Sequence, residues 1–248
     1  MKISVLTVVF NRADTIAGAI QSVASQIYPN VEHVVVDGAS NDGTLSVINA
    51  NKNKAMLVIS EPDNGIYDAL NKAIVHSSGD IIGLMHSDDF FANDQVLTKI
   101  ADEFTDPSVD AVYGDLDYIS ASDSSLIRRR WKAGYFVPSK LYRGWMPPHP
   151  TLFVRRRVLE QFGGYDTSYR IAGDYDAMLR WFASPNFRAS YIPEVLVKMR
   201  MGGASNRSIG RIIRKSREDY RALRANNIGG FGPLAAKNLS KIFQFIQR

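Results

Sequence analysis

The sequence predicts an α/β protein with a mostly parallel sheet and helices on both of its faces. Three observations carry that expectation. Up to Phe104, short β-branched runs alternate with longer segments of helical spacing, the pattern of βαβ units. A length of 248 residues, with 45% hydrophobic and 22% charged, is enough to bury a large core. The chain has no cysteine, so no disulfide supports that core, and thiolate metal sites and nucleophiles are excluded.

The elements follow in order. Residues 3–9 form an apolar strand, and 13–26 a helix with Ile16, Ala19, Ile20 and Val23 on one face. Strand 31–36 leads to helix 44–51, strand 55–59 to helix 66–77, and strand 80–85 to helix 93–104, with Asn93 as its N-cap. Right-handed crossovers should distribute these helices over both faces. After Asp110 the pattern changes. Residues 111–119 and 126–132 alternate like an antiparallel pair, and 134–150 is an aromatic, proline-rich loop expected to cover a site. A short helix is expected at 156–162, ended by Gly163-Gly164, another at 174–183, and a last strand at 191–199. Residues 201–206 read as a hinge. Two amphipathic helices complete the chain. One carries Ile209, Ile212, Ile213, Tyr220 and Leu223; the other carries Leu234, Leu239, Ile242, Phe243 and Ile246. The expected organisation is a main domain over 1–204, in two halves at 1–110 and 111–204, followed by a basic helical tail at 205–248.

Charge is unevenly spread. The tail carries ten Arg or Lys and two acidic residues, while 1–204 carries twenty basic and twenty-three acidic residues, so a local +8 and −3 make the net +5. Such a tail suits an anionic surface, with a membrane as the expected one. The body is mildly acidic and holds no nucleic-acid motif, so no nucleic acid is expected. No stretch approaches the roughly 18 apolar residues that span a bilayer. The apolar start runs into Asn11-Arg12 with no cleavage site, so the expected compartment is cytoplasmic, at most peripheral on the inner membrane face.

In an open parallel sheet, ligands bind beyond the carboxyl ends of the strands. Four strand ends here deliver polar, mostly acidic groups: Thr7 to Arg12, Asp37 to Thr44, Ser60 to Gly65, and His86-Ser87-Asp88-Asp89. No glycine-rich phosphate loop follows the first strand. Carboxylates would repel a diphosphate unless a divalent cation lay between them, so Mn²⁺ or Mg²⁺ with a nucleotide-diphosphate substrate is the simplest occupant.

Taken together, the motifs resemble the family-2 glycosyltransferases with the GT-A fold, of the bacterial exopolysaccharide, O-antigen and colanic-acid type. The resemblance covers about residues 2–200, and it implies that 1–110 is the nucleotide-sugar-binding half and 111–204 the acceptor half. It rests on T-V-V-F-N-R (7–12), D-G-A-S-N-D-G-T (37–44), E-P-D-N-G-I-Y-D-A-L-N-K-A-I (61–74), H-S-D-D (86–89) and G-D-Y-D-A-M-L-R (173–180). It implies an inverting transfer of a sugar from a nucleotide-diphosphate donor, UDP favoured, to a glycan or undecaprenyl-diphosphate-linked acceptor in surface-polysaccharide synthesis. Thr7 and Asp37 match positions that contact base and ribose, with Asn11 and Arg12 beside them. Asp63, Asn64 and Tyr67 match the loop beside the donor. Ser87 and Asp88 stand in the family's D-x-D, with Asp88 reaching the metal and His86 replacing the first acid. His86 is either a ring-nitrogen ligand or a wall of the ribose pocket, and the second is favoured.

Asp174 matches the catalytic base, with Asp176 as its understudy; Asp174 could equally cap its helix. His149 resembles a position near the acceptor, and Arg207 belongs to an expected flap over the pyrophosphate. Two other classes compete. A sugar-phosphate nucleotidyltransferase would need the glycine-rich loop that is missing. A non-catalytic nucleotide-sugar or nucleic-acid binding protein would not need Asp88 and Asp174 together.

Overall fold

The computed structural model describes residues 1–201 and 209–246. The expected hinge beyond Met201 and the flap residue Arg207 lie outside the described residues. Among those described, nine strands form a single sheet. β1 (Ile3–Val9) lies between β2 (Val31–Asp37) and β4 (Ile81–Leu84), and β3 (Met56–Ser60) extends the edge beyond β2, all of them parallel. Beyond β4 the order continues through β8 (Phe153–Arg155), β6 (Ala111–Ile119), β9 (Ala189–Arg200) and the short β5 (Phe90–Phe91), with β7 (Ile127–Trp131) paired to β6. β4 with β8, β6 with β7 and β8, and β5 with β9 run antiparallel, while β6 with β9 is parallel.

β1 is buried along its whole length, which explains why its sequence is apolar without alternation. Its residues divide between the two faces. Leu6 and Val8 pack with α3 (Ile66–His76) and α6 (Gly173–Phe182) in the larger core. Ile3 and Val5 pack with α1 (Ile16–Ala24) and α4 (Val96–Glu103) on the other side. α2 (Thr44–Ala50) closes a smaller cluster through Ile48. Helices therefore cover both faces, as the alternation implied. α5 (Arg156–Phe162) follows β8 directly.

Several boundaries differ from expectation. α1 begins at Ile16 because the backbone N–H groups of Thr15 and Ile16 both donate to the Arg12 carbonyl and close a turn first. Asn93 does not cap α4. Its Oδ1 accepts the Gln95 N–H, 3.0 Å away, and the helix starts at Val96. β5 was not foreseen, since two residues carry no periodicity. The 134–150 loop contains 3-10 turns at Pro138–Arg143 and His149–Thr151.

The C-terminal helices are α7 (Ile209–Ala225) and α8 (Phe231–Ile246). α7 docks through its second half, where Ala222 and Leu223 are fully buried in the larger core. In its first half Ile212 and Ile213 are 54% and 50% exposed, so the expected apolar stripe is split. Of the two acidic residues of this basic segment, Asp219 joins α7 to α8 and Glu218 holds α7 to the body. Asp219, buried, accepts from Lys215 and from Lys237 of α8, each at 2.9 Å, and Lys237 stands 3.0 Å from the Tyr175 ring centre. Glu218 reaches the loop that precedes α6.

Candidate active site

The carboxyl ends of β1 to β4 form a polar rim whose side chains first hold one another's loops. Asn11, in a left-handed conformation (φ 52°), accepts the Asn41 N–H through Oδ1 and donates its own N–H to the Ser40 hydroxyl. Asp37 is fully buried and accepts the Ser60 hydroxyl at 2.7 Å and the Ser40 N–H at 3.2 Å. Arg12 is half-buried, its guanidinium donating to the Asn11 carbonyl. Asp63 accepts the Gly65 N–H, and its carboxylate lies so close to Gly38 that a Cβ there would come within 2.4 Å of it. Asn64 is exposed and donates to Asp68.

Thr7 requires a correction. Its hydroxyl is fully buried, bonded to His33 and donating to the Met85 carbonyl at 2.8 Å. That side chain ties β1 to the end of β4 and does not face a ligand. Burial holds the His33 imidazole down at about 4, so its Nε2 meets Thr7 as a neutral ring.

The His86–Asp89 turn follows β4. Ser87 and Asp89 are buried, while His86 and Asp88 are half-buried. Asp89 accepts the Arg200 N–H through Oδ1, joining this turn to the end of β9, and its Oδ2 is buried without a hydrogen-bond partner. Burial, then the neighbouring Asp88 charge, pushes the Asp89 carboxyl well up. Among the described residues no group of three His, Cys, Asp or Glu could hold a metal ion. The oxygen donors of Asp88, backed by the orphaned Asp89 oxygen, nevertheless fit a hard divalent cation that takes its remaining ligands from a diphosphate.

Beside this turn opens a cleft of about 510 Å³. Its polar wall holds Asp174, His86, His149 and Tyr67; its apolar wall includes Ile66, Leu70, Trp131, Met146 and Met199. Three arginines, Arg170, Arg211 and Arg214, line it as well. Asp174 lies in the first turn of α6, which starts at Gly173, so Asp174 is not the N-cap. Gly173 is required there, since a Cβ would sit 2.8 Å from the Tyr67 ring. That ring passes beneath the helix start, donates its hydroxyl to the Ile171 carbonyl at 2.7 Å and lies 3.5 Å from Asp174 Oδ1.

His149 faces the same carboxylate, with Nδ1 3.9 Å from Asp174 Oδ2 and Nε2 3.0 Å from the Tyr165 hydroxyl. Burial lowers His149 to about 4 against the opposing pull of Asp174, so the ring is neutral at pH 7 and leaves the carboxylate's charge uncancelled. His86 is lowered by burial too, and it feels the charges of both Asp88 and Asp174.

Asp176 does not join this group. It is buried, accepting from Arg180 at 3.0 Å and from Asn226 at 3.0 Å, and it ties α6 to the end of α7. Its expected role as understudy is replaced by a structural one. Of the aromatics, Trp131 reaches the cleft, whereas Phe136 and Trp145 pack with Phe182. Sequence reasoning missed Glu218. Its carboxylate accepts the N–H groups of Arg170, Ile171 and Ala172 at 3.2, 2.8 and 2.9 Å, and so holds the segment that leads into Asp174. The available signal was its rarity, as one of two acids in a basic segment.

Residues 4–163 match the family described as glycosyl transferase family 2. An uncharacterized glycosyltransferase of Mycobacterium tuberculosis is 30% identical over 181 residues, covering 72% of this chain and 68% of that one. A PGL/p-HBAD biosynthesis glycosyltransferase of Mycobacterium bovis is 28% identical over 209 residues, covering 82% and 78%. Among solved structures, the Pyrobaculum calidifontis mannosyltransferase in complex with GDP-Man and Mn²⁺ superposes with a TM-score of 0.70 at 20% identity, over 99% of this chain and 72% of that one. Staphylococcus aureus TarS 1–349 in complex with UDP-GlcNAc gives 0.70 at 20% identity, over 92% and 66%. The family match spans most of the chain and the fold superposes on these solved glycosyltransferases, so the chain belongs to glycosyltransferase family 2 and is built on the GT-A fold.

Proposed function

We propose that the protein transfers a sugar, with inversion, from a nucleotide-diphosphate donor to an acceptor hydroxyl, with Asp174 as the general base. The observation that carries this reading is the convergence on Asp174 of Tyr67, His149 and His86, from three separate elements, in one cleft. Asp174 is the sole carboxylate among the described residues that line it. One carboxylate suffices to take the acceptor's proton as its oxygen attacks the anomeric carbon. A double displacement would need a nucleophile on the opposite side of the sugar.

The donor's diphosphate then lies toward the His86–Asp89 turn, with its nucleoside along the rim of Asn11, Arg12, Asp37, Asp63 and Asn64. UDP is the favoured nucleotide. A divalent Mn²⁺ or Mg²⁺ held by Asp88 would neutralise charge on the departing diphosphate when bound. His149, neutral and held by Tyr165, faces the carboxylate from 3.9 Å without protonating it. Tyr67 anchors the helix start that carries Asp174.

We further place the acceptor among glycans or lipid-linked sugars of a bacterial surface polysaccharide, reached at an anionic membrane surface. Support comes from Ile212 and Ile213, exposed amid the arginines of α7. No helix among the described residues is long and apolar enough to cross a membrane. Flotation with phosphatidylglycerol vesicles should retain the intact protein and lose the Ile212→Ser/Ile213→Ser variant; equal flotation of both removes the membrane contact.

The catalytic reading is tested by a thermal-shift panel of nucleoside diphosphates and nucleotide sugars, with and without Mn²⁺, followed by transfer assays. Stabilisation by one base, dependent on metal, is expected. Binding with no turnover on any donor would make the protein a non-catalytic binder.

A further inference from the structure

The charge of the cleft exceeds what a neutral acceptor sugar requires. Three arginines and one carboxylate line it, and burial keeps His149 uncharged. The arginines have a common structural origin. Arg211, Arg214 and Glu218 are spaced three and seven residues apart on α7, which puts them on one helix face. Glu218 is fastened to the backbone of 170–172, one segment before Asp174. One and two turns back along that face, Arg214 and Arg211 are therefore carried over the cleft, and Arg170 rises from the fastened segment itself. The apolar wall of Trp131, Met146 and Met199 completes the same opening.

We propose that Arg170, Arg211 and Arg214 form a subsite for a phosphate ester carried by the acceptor, beside the hydroxyl that Asp174 deprotonates. This rests on the transferase reading above and deepens it by naming the acceptor's chemistry. Guanidinium forks recognise phosphate oxygens in pairs, and an adjoining apolar wall suits a phosphate on a hydrophobic aglycone. A donor diphosphate is the other source of the same anion. It has its own expected place at the His86–Asp89 turn, where Asp88 and a cation would meet it. In this assignment α7 is the wall of the acceptor site, and its basic character serves substrate recognition as well as any surface.

The test uses the full chain saturated with UDP and Mn²⁺, titrated calorimetrically with phenyl phosphate and with phenol as the uncharged control. Phenyl phosphate should bind the nucleotide-loaded protein and phenol should not. In the Arg211→Gln/Arg214→Gln variant its affinity should fall about tenfold or more, while UDP affinity stays within about twofold. Arg214→Gln alone should give an intermediate loss, and an unchanged melting temperature would show that both variants fold. Undiminished phenyl phosphate binding in the double variant overturns the subsite. Competition between phenyl phosphate and UDP, or a parallel fall in UDP affinity, overturns its assignment to the acceptor and gives the arginines to the donor. Should UDP fail to bind the wild-type chain, the transferase reading is what falls; the titration without nucleotide still reads the subsite.

Discussion

The polar rim at the strand ends and the wall of the cleft are built by opposite means. Along the rim, each polar side chain is held by a neighbour on the same or an adjacent strand end. Asp37 grips Ser40 and Ser60, Asn11 grips Asn41, and Asp63 grips Gly65. At the wall, Tyr67, His149, Asp174 and Glu218 come from four regions of the chain and are held there by long-range hydrogen bonds and contacts. A rim made of local bonds should lose binding piecemeal. A wall made of long-range contacts should lose turnover whenever one contributor shifts.

Asp174→Asn sharpens this contrast most. Turnover should fall about a thousandfold, near 4 kcal/mol, with donor affinity almost unchanged, because the base acts on the acceptor. Steady-state kinetics with nucleotide binding measured separately would check it, and near-normal kcat would sink the assigned base. Asp88→Ala is the rim's counterpart. Its donor affinity should fall about tenfold or more in Mn²⁺, with little change in its absence.

Lys237→Met should cost about 3 kcal/mol of stability, since it leaves buried Asp219 with Lys215 alone and removes the cation over the Tyr175 ring. Chemical denaturation would read it, and an unchanged midpoint would mean that α8 does not stabilise the body. Glu218→Ala frees three backbone N–H groups and should cost roughly 1–3 kcal/mol, with kcat reduced more than donor KM. Glu218→Gln should recover part of the turnover. A kcat equal to wild type in both variants would remove Glu218 as a positioning residue.

The smallest effect lies at the far, amino end of the sheet. Burial pushes the Glu32 carboxyl up, but hydrogen bonds from Lys2, Ser4 and Ser78 outweigh it and hold the group at about 2. A lowered carboxylate stabilises the fold above its unfolded value and loses that contribution as pH falls through the folded one. Glu32→Gln should therefore cost on the order of 1–2 kcal/mol at pH 7, with the gap to wild type closing between about pH 4.5 and 2 and kcat unaffected. A gap that persists at pH 2 would break the assignment.

The same contrast explains what could be read from the sequence. That Asp88 follows β4 and Asp174 lies in the first turn of a helix was legible because each sits in a short motif at an element end, where the backbone alone sets its place. Thr7 and Asp176 misled, because a motif does not say which way a side chain points. The pleat turns Thr7 inward to His33 and Met85, and the helix turn aims Asp176 at Arg180 and Asn226. Glu218 stood out only by its rarity, and its task was not legible, since its partners are backbone groups some 46 to 48 residues away.

The basic C-terminal segment shows the limit most clearly. Its charge and its two helices follow from composition and periodicity, but its docking depends on two acids and one buried lysine among ten cations. By itself the sequence determined the strand–helix alternation, the acidic strand ends and the family, because those rest on local periodicity and short-range turn chemistry. Only the tertiary structure decided which polar groups face the cleft, that burial lowers the basicity of both histidines beside Asp174, and that α7 carries arginines over it. These follow from packing between segments far apart in the chain, whose pairing no local pattern encodes.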